Sequence, residues 1–212
     1  MEAFDYNILN FHHEIAVGAG YILTPIMEFI TFIGEKGIIF LLIAFVLMLF
    51  PKTRRSGVCI FGAVCCGALI TNFILKDWIA RPRPLVSETA VFREWWEFIG
   101  SPKEHGYSFP SGHATAAAAG VLAIVLSEGR KYLIPGIPFV ALMCISRNYL
   151  MAHYPTDVLA GAIVGAISAV IAYFIAKLIF IFLEKYRKNK LFGFILDFDI
   201  RKIFKSRYKG KH

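Results

Sequence analysis

Apolar residues in this chain come in long runs, and short charged turns separate them. Residues 57–75, 111–127, 133–150 and 158–183 read as membrane-crossing helices. A fifth apolar run, 37–50, is short by itself and reaches spanning length when extended back through Ile33, with Glu35 and Lys36 near the outer interface. Residues 15–34 are apolar too but carry Pro25 and Glu28. A charge near the centre of a span is costly, so this stretch is read as non-spanning, as two short helices broken at Pro25. The pattern predicts five spans, or six if 15–34 crosses.

The polar positions between the runs have a consistent order. Pro51-Lys52-Thr53-Arg54-Arg55, Glu128-Gly129-Arg130-Lys131 and Lys185-Tyr186-Arg187-Lys188-Asn189-Lys190 are basic turns, which predicts that they face the cytoplasm. The loops after Leu75, before Ser111 and after Leu150 then share the extracytoplasmic side. Residues 4–13 mix Phe4, Ile8, Leu9 and Phe11 with Asp5, Asn7 and Asn10, as an amphipathic helix at the interface would. The tail, 191–212, alternates Phe192, Phe194, Ile195, Phe198, Ile203 and Phe204 with charged residues, which predicts a basic amphipathic helix on the membrane surface. In the loop 85–109, Trp95 and Trp96 with flanking charges suit a helix resting among headgroups. The expected fold is therefore an all-α integral membrane bundle, with a membrane domain at 1–190 and a cytoplasmic tail at 191–212.

Composition agrees with this pattern. Of 212 residues, 57% are hydrophobic and mean hydropathy is +0.60. The +8 formal charge sits in turns and tail, so membrane topology accounts for it and nucleic acid does not. Cys59, Cys65, Cys66 and Cys144 lie inside apolar runs and read as small buried hydrophobes. The first residues lack a basic segment, so no cleavable signal peptide is expected.

Three stretches outside the runs carry chemistry. The first is Lys76-Asp77-Trp78-Ile79-Ala80-Arg81-Pro82-Arg83-Pro84. If it is helical, Lys76 and Arg83 share one face about two turns apart and form a phosphate receptor, with Arg81 pointing well off that face. The second is Tyr107-Ser108-Phe109-Pro110-Ser111-Gly112-His113. Ser111 is placed to cap the following helix, whose free N–H groups suit an anion, and Gly112 lets backbone approach it closely. His113 would stand beside that anion, ready for proton transfer. The third runs from Ser146 to Asp157. Arg147 is a charge near the end of an apolar span and needs an anionic partner, but none is adjacent in sequence. His153 follows at the helix exit. Asp157 opens the next span, with Thr156 as a candidate cap, and the turn can fold its carboxylate back on His153.

Together these stretches resemble the type 2 phosphatidic acid phosphatase superfamily. Its pattern is K-x6-R-P, then P-S-G-H, then S-R-x5-H-x3-D. Lys76, Arg83 and Pro84, then Pro110, Ser111, Gly112 and His113, then Ser146, Arg147, His153 and Asp157 fill every fixed position. Within the superfamily, the short chain and the expected site position look most like the bacterial undecaprenyl-diphosphate phosphatases.

The resemblance implies a lipid phosphate phosphatase in the cell membrane, with no cofactor and no metal. Lys76, Arg83, Arg147, Ser111 and Gly112 would hold the phosphoryl oxygens. His153 would attack phosphorus, oriented by Asp157, and His113 would protonate the leaving group. A glycerolipid phosphatase, a phosphotransferase using the same site and, from another class, a transporter are the competing readings. The ionisable residues cluster at one membrane face rather than the midplane, which disfavours the transporter. Arg81 reads as a headgroup or loop contact; Arg93, Trp95, Trp96 and Lys103 read as headgroup guides or loop anchors.

Overall fold

A computed structural model describes residues 2–19 and 22–202. Helices form throughout, and there is no strand among the described residues. In chain order they are α1 (Glu2–Ala19), α2 (Leu23–Ile33), α3 (Ile38–Met48), α4 (Arg54–Leu69), α5 (Lys76–Ile79), α6 (Ala90–Ile99), α7 (Gly112–Glu128), α8 (Leu133–Tyr149), α9 (Pro155–Lys185) and α10 (Lys190–Asp197). A π-helical segment, Ile70–Leu75, joins α4 to α5. Among the described residues, three helical stretches are long and apolar enough to cross a bilayer: Leu23–Met48, Arg54–Val86 and Pro155–Lys185. Gly112–Glu128 is a shorter apolar helix. Large apolar side chains face outward, among them Phe32 (71% exposed), Ile134 (80%) and Leu178 (66%). Only lipid makes such a surface favourable. The protein is an all-α membrane bundle.

The N-terminal third departs from expectation. No break falls at Pro25, which sits in the first turn of α2, where its missing N–H costs no intrahelical bond. The 26-residue stretch Leu23–Met48 has the length and apolarity of a crossing, and it takes in residues from both the 15–34 and the 37–50 runs. The interruption comes at 34–37 instead, where Lys36 (φ 50°) and Gly37 (φ 70°) adopt left-handed backbone. Gly37 is required there by space as well: a Cβ would lie 2.9 Å from Val64 Cγ1.

Helix α1 buries one face, Asp5, Leu9, His12 and Ala16, at helical spacing. That face packs against α6, α8 and α9, while Phe4, Phe11 and Val17 stay exposed. Trp95 is part of the same cluster and not a headgroup anchor: it is buried beside Leu9 and Phe92 and stacks on His13 at 5.0 Å. Its burial follows from the strongly one-sided pattern of α6, which turns Phe92, Trp95 and Ile99 inward.

The centre of the bundle is α4, α7 and α9. Small residues let the backbones meet, as the alanine run of α7 predicts. Ala114, Ala117, Ala119 and Ala123 are fully or almost fully buried. A Cβ on Gly165 would come within 2.3 Å of the Thr115 carbonyl oxygen, so only glycine allows this approach of α9 to α7. That contact sets the start of α9, which carries Asp157, against the start of α7, which carries His113. All four cysteines are free; Cys59 is buried and the other three half-buried.

At the opposite end, Arg54 is buried although it belongs to a basic turn. Its guanidinium donates to the carbonyls of Met48 (2.9 Å), Leu196 (2.8 Å), Ile195 and Phe198, so it clamps the end of α10 to the end of α3. Ile203 and Phe204, part of the expected tail helix, lie outside the described residues.

Candidate active site

The three polar stretches converge on one cavity of about 340 Å³, lined by Lys76, Arg83, Glu104, Gly112, His113 and His153. Each arrives on a different element. Lys76 begins α5, directly after the π-helical segment. The helix does not run on to Arg83 as expected. It stops at Ile79, Ala80 turns left-handed (φ 49°), and Arg83 is extended (ψ 158°). Pro82 and Pro84 account for this, because a residue before proline is steered out of the helical region. Lys76 and Arg83 therefore meet at the cavity by a chain reversal, not by sharing a helix face.

Arg83 is buried, and loop carbonyls aim it: Nε donates to Gly106 O (3.0 Å), Nη1 to Ala152 O (2.9 Å) and Nη2 to His105 O (3.2 Å). His105 thus serves through its backbone. Arg83 Nη1 also stands 3.4 Å from His153 Nε2. Arg147 is 1% exposed, and its partner is Glu104, 43 residues away in sequence. The same carboxylate pairs with Arg83 at 2.8 Å. Burial opposes its ionisation, but Arg147 and Arg83 outweigh that and hold it down at about 2. Glu104 thus sits between the two guanidinium groups expected to bind phosphate. A second cavity, about 370 Å³, lies on its other side, with Arg147, His113, Glu28, Thr31 and Glu35 in its wall.

His153 lies in the turn between α8 and α9 and is 1% exposed. Its two nitrogens face different surroundings. Nε2 faces Arg83, whereas Nδ1 faces Asp157 Oδ2 at 3.7 Å and Ser108 Oγ at 3.5 Å. Burial pushes the imidazole down to about 4; positive Arg147 and Arg83 add to this against the raising effect of Asp157. The ring is therefore neutral at pH 7, and a neutral imidazole has a nitrogen lone pair to offer. Asp157 Oδ2 accepts the Tyr154 N–H at 2.9 Å, closing the first turn of α9, and accepts the Ser108 hydroxyl. The cap of α9 is thus built by Asp157 itself and not by Thr156.

Ser111 caps α7 through a 3.5 Å contact from Ala114 N, and its own N–H donates to the Asp157 carbonyl at 3.0 Å. Its side chain is fully buried, and Gly112 is the member of the pair that lines the cavity. His113 lines both cavities, and its buried Nε2 has no partner among the described residues. Such an orphan is expensive unless something else fills its need.

Sequence reasoning does not anticipate Glu104, Ser108 or the pairing of Arg81. Arg81 does not reach a headgroup position: its guanidinium is tied to Asp157 (2.6 Å) and Asp5 (2.7 Å). Proximity to the second motif is the available signal for Ser108. For Glu104 the signal is the unpaired charge of Arg147, which calls for a carboxylate in the long loop.

Lys36, Lys76 and Arg83 line one cavity of the membrane bundle together with His113 and His153, which makes it a candidate anion site. Comparison with known proteins then places the chain. The profile of the PAP2 superfamily matches residues 57–181, and the chain belongs to that family. It is 28% identical over 146 residues to an undecaprenyl-diphosphatase of Sulfolobus acidocaldarius, covering 68% of this chain and 66% of that protein. It is 33% identical over 148 residues to undecaprenyl-diphosphatase BcrC of Bacillus subtilis, covering 69% and 71%. The crystal structure of a transmembrane PAP2 type phosphatidylglycerolphosphate phosphatase from Bacillus subtilis has the same fold. Its TM-score is 0.57 at 23% identity, over 89% of this chain and 96% of that one.

Proposed function

We propose that the protein is a lipid phosphate phosphatase that hydrolyses undecaprenyl diphosphate to undecaprenyl phosphate at the extracytoplasmic face of the cell membrane. The observation that carries this reading is the convergence of Lys76, Arg83, Gly112, His113 and His153 on one cavity, with Arg147 reaching it through Glu104. The names of the two undecaprenyl-diphosphatase relatives support the choice of lipid. The basic turns at the opposite end support the sidedness.

The placement of these side chains supports the following chemistry. The terminal phosphoryl group displaces the Glu104 carboxylate and takes Arg83 and Arg147, with Lys76 and the Gly112 N–H on its remaining oxygens. His153 Nε2 attacks phosphorus. A P–N bond forms while the P–O bond to undecaprenyl phosphate breaks, and His113 gives its proton to that leaving oxygen. Asp157 holds Nδ1–H and balances the positive charge that attack creates on the ring. Water then gives a proton to His113, its oxygen bonds to phosphorus, and the P–N bond breaks to release phosphate. The cations spread the equatorial charge of both in-line steps, so no step needs a metal.

The test is phosphate release in detergent from undecaprenyl diphosphate, phosphatidic acid and phosphatidylglycerophosphate, with His153→Ala as blank. Preference for the diphosphate, undiminished by EDTA, is expected. Preference for a glycerolipid would replace the substrate and keep the chemistry. No release from any of the three by folded protein would overturn the reading.

A further inference from the structure

Asp157 is held by more than the histidine it faces. One carboxylate oxygen, Oδ2, accepts from the Ser108 hydroxyl and the Tyr154 N–H and faces His153 Nδ1 at 3.7 Å. The other, Oδ1, accepts from Arg81 Nη1 at 2.6 Å. Arg81 is anchored in turn. Its second nitrogen, Nη2, donates to Asp5 Oδ2 at 2.7 Å, and its guanidinium lies 3.8 Å from the centre of the Tyr154 ring. Asp5 is 2% exposed and binds the first turn of α9 directly: Oδ1 accepts the Thr156 N–H at 2.9 Å, and Oδ2 accepts the Thr156 hydroxyl at 2.8 Å. The Arg81 carbonyl accepts Ser108 N–H at 2.8 Å, which closes a ring of bonds around Asp157.

We infer that Asp5 and Arg81 are positioning residues for the His153–Asp157 pair: Arg81 fixes the rotation of the Asp157 carboxylate, and Asp5 fixes and neutralises Arg81. This rests on His153 being the nucleophile. Two physical points carry it. A carboxylate clamped at one oxygen cannot turn the other away from the imidazole, and orientation of this kind is what an outer partner supplies to a catalytic pair. Charge is the second point. A lone Arg81 cation against Asp157 would cancel the negative charge that stabilises the imidazolium formed on attack. Asp5 cancels Arg81 instead, so the Asp5–Arg81–Asp157 set keeps a net charge of about −1 beside His153. Asp5 comes from α1, outside the matched residues 57–181, so the device joins the N-terminal helix to the site.

The test measures kcat and KM for the lipid substrate, together with inhibition by vanadate, in Arg81→Met, Arg81→Lys, Asp5→Asn and the Arg81→Met/Asp5→Asn double variant. Arg81→Met is expected to lower kcat about 100-fold with KM and the vanadate constant within about threefold of wild type. Arg81→Lys recovers part of the loss. Asp5→Asn lowers kcat about tenfold, and adds less than that in the Arg81→Met background, because the two act through one carboxylate. A merely structural pair would move KM, vanadate inhibition and melting temperature along with kcat, in an additive way, and that outcome overturns the inference. Unchanged kcat in Arg81→Met overturns it as well. If Arg81→Met does not fold, Asp5→Asn alone decides by the same split between kcat and KM. His153→Ala is measured alongside: if it retains turnover, the nucleophile assignment fails first; if it is dead while Arg81→Met is normal, only the positioning role fails.

Discussion

Arg81 and Arg83 stand two residues apart, separated by one proline, and have opposite employment. Arg83 turns to the cavity, where three loop carbonyls aim it at the space beside His153 and Glu104 is its only carboxylate among the described residues. Arg81 turns away and is held by two carboxylates, Asp5 and Asp157. One kind of side chain thus serves two ends. A guanidinium whose anion can be exchanged is a receptor; one fixed between two buried anions is a strut. Ala80 turns left-handed and Arg83 has polyproline-II-like backbone (φ −73°, ψ 158°), with three residues per turn, so side chains two apart diverge rather than line one face. The difference also shows that an Arg-Pro-Arg-Pro run is not a single basic patch, and that the partner of each cation decides its role.

The largest effect expected from breaking this contrast is at the receptor. In the proposed mechanism Arg83→Met removes a transition-state cation, and it leaves Glu104 paired with Arg147 alone. It should reduce kcat/KM about 1,000-fold and weaken vanadate inhibition in step, whereas the change at Arg81 spares vanadate. Equal sensitivity of vanadate inhibition to both substitutions would erase the distinction.

A second effect comes from the burial of His153, to which Arg147 and Arg83 add. The imidazole stands at about 4 in the folded protein against an ordinary 6.5. Between these values the unfolded chain binds a proton that the folded one refuses, so stability falls as pH drops from 6.5 to 4 and levels off below. On the order of 3 kcal/mol is at stake. Melting curves across this range should show a steeper acid loss in wild type than in His153→Gln, whose side chain does not titrate. Parallel curves would mean that His153 is not held neutral.

Glu104 sharpens the receptor half of the comparison. Held at about 2, it is ionised at any working pH and competes with anions for Arg83 and Arg147. Glu104→Gln should therefore tighten vanadate inhibition roughly tenfold, since a neutral amide yields its place more readily. Unaltered or weaker inhibition would show that the carboxylate is not the competitor.

The smallest effect belongs to a third arginine with neither role. Arg54→Ala should leave kcat and KM as they are while lowering the melting temperature by several degrees, because it frees the end of α10 from α3. A change in kinetics would link that end of the bundle to the site.

Much of the fold and of the site is legible in the amino-acid sequence. The apolar runs announce the helices, and the small residues of α7 with Gly161 and Gly165 announce their close approach. The spacing of Lys76, Arg83, His113, Arg147, His153 and Asp157 marks the candidate site because the motif is local within each stretch. Long-range pairings leave no local trace. Arg81 meets a carboxylate 76 residues before it and another 76 after it, and Arg147 meets Glu104 across 43. The helical reading of 76–83 fails because it weighs the cation spacing above two prolines. Pro25 carries too much weight in the reading of 15–34, since a proline in a first helical turn breaks nothing. Trp95 is interfacial by residue type, yet the face of α6 that carries it is covered by α1.

Rapid-quench labelling of the enzyme with undecaprenyl diphosphate carrying radioactive phosphorus in its terminal group tests the proposed phosphohistidine mechanism most directly. An acid-labile, alkali-stable phosphoenzyme is expected in wild type, slower to form and slower to decay in His113→Ala, where the leaving oxygen lacks its acid and the water its base, and absent from His153→Ala. Persistent label in His153→Ala, or turnover by wild type with no phosphoenzyme at any time, would contradict it.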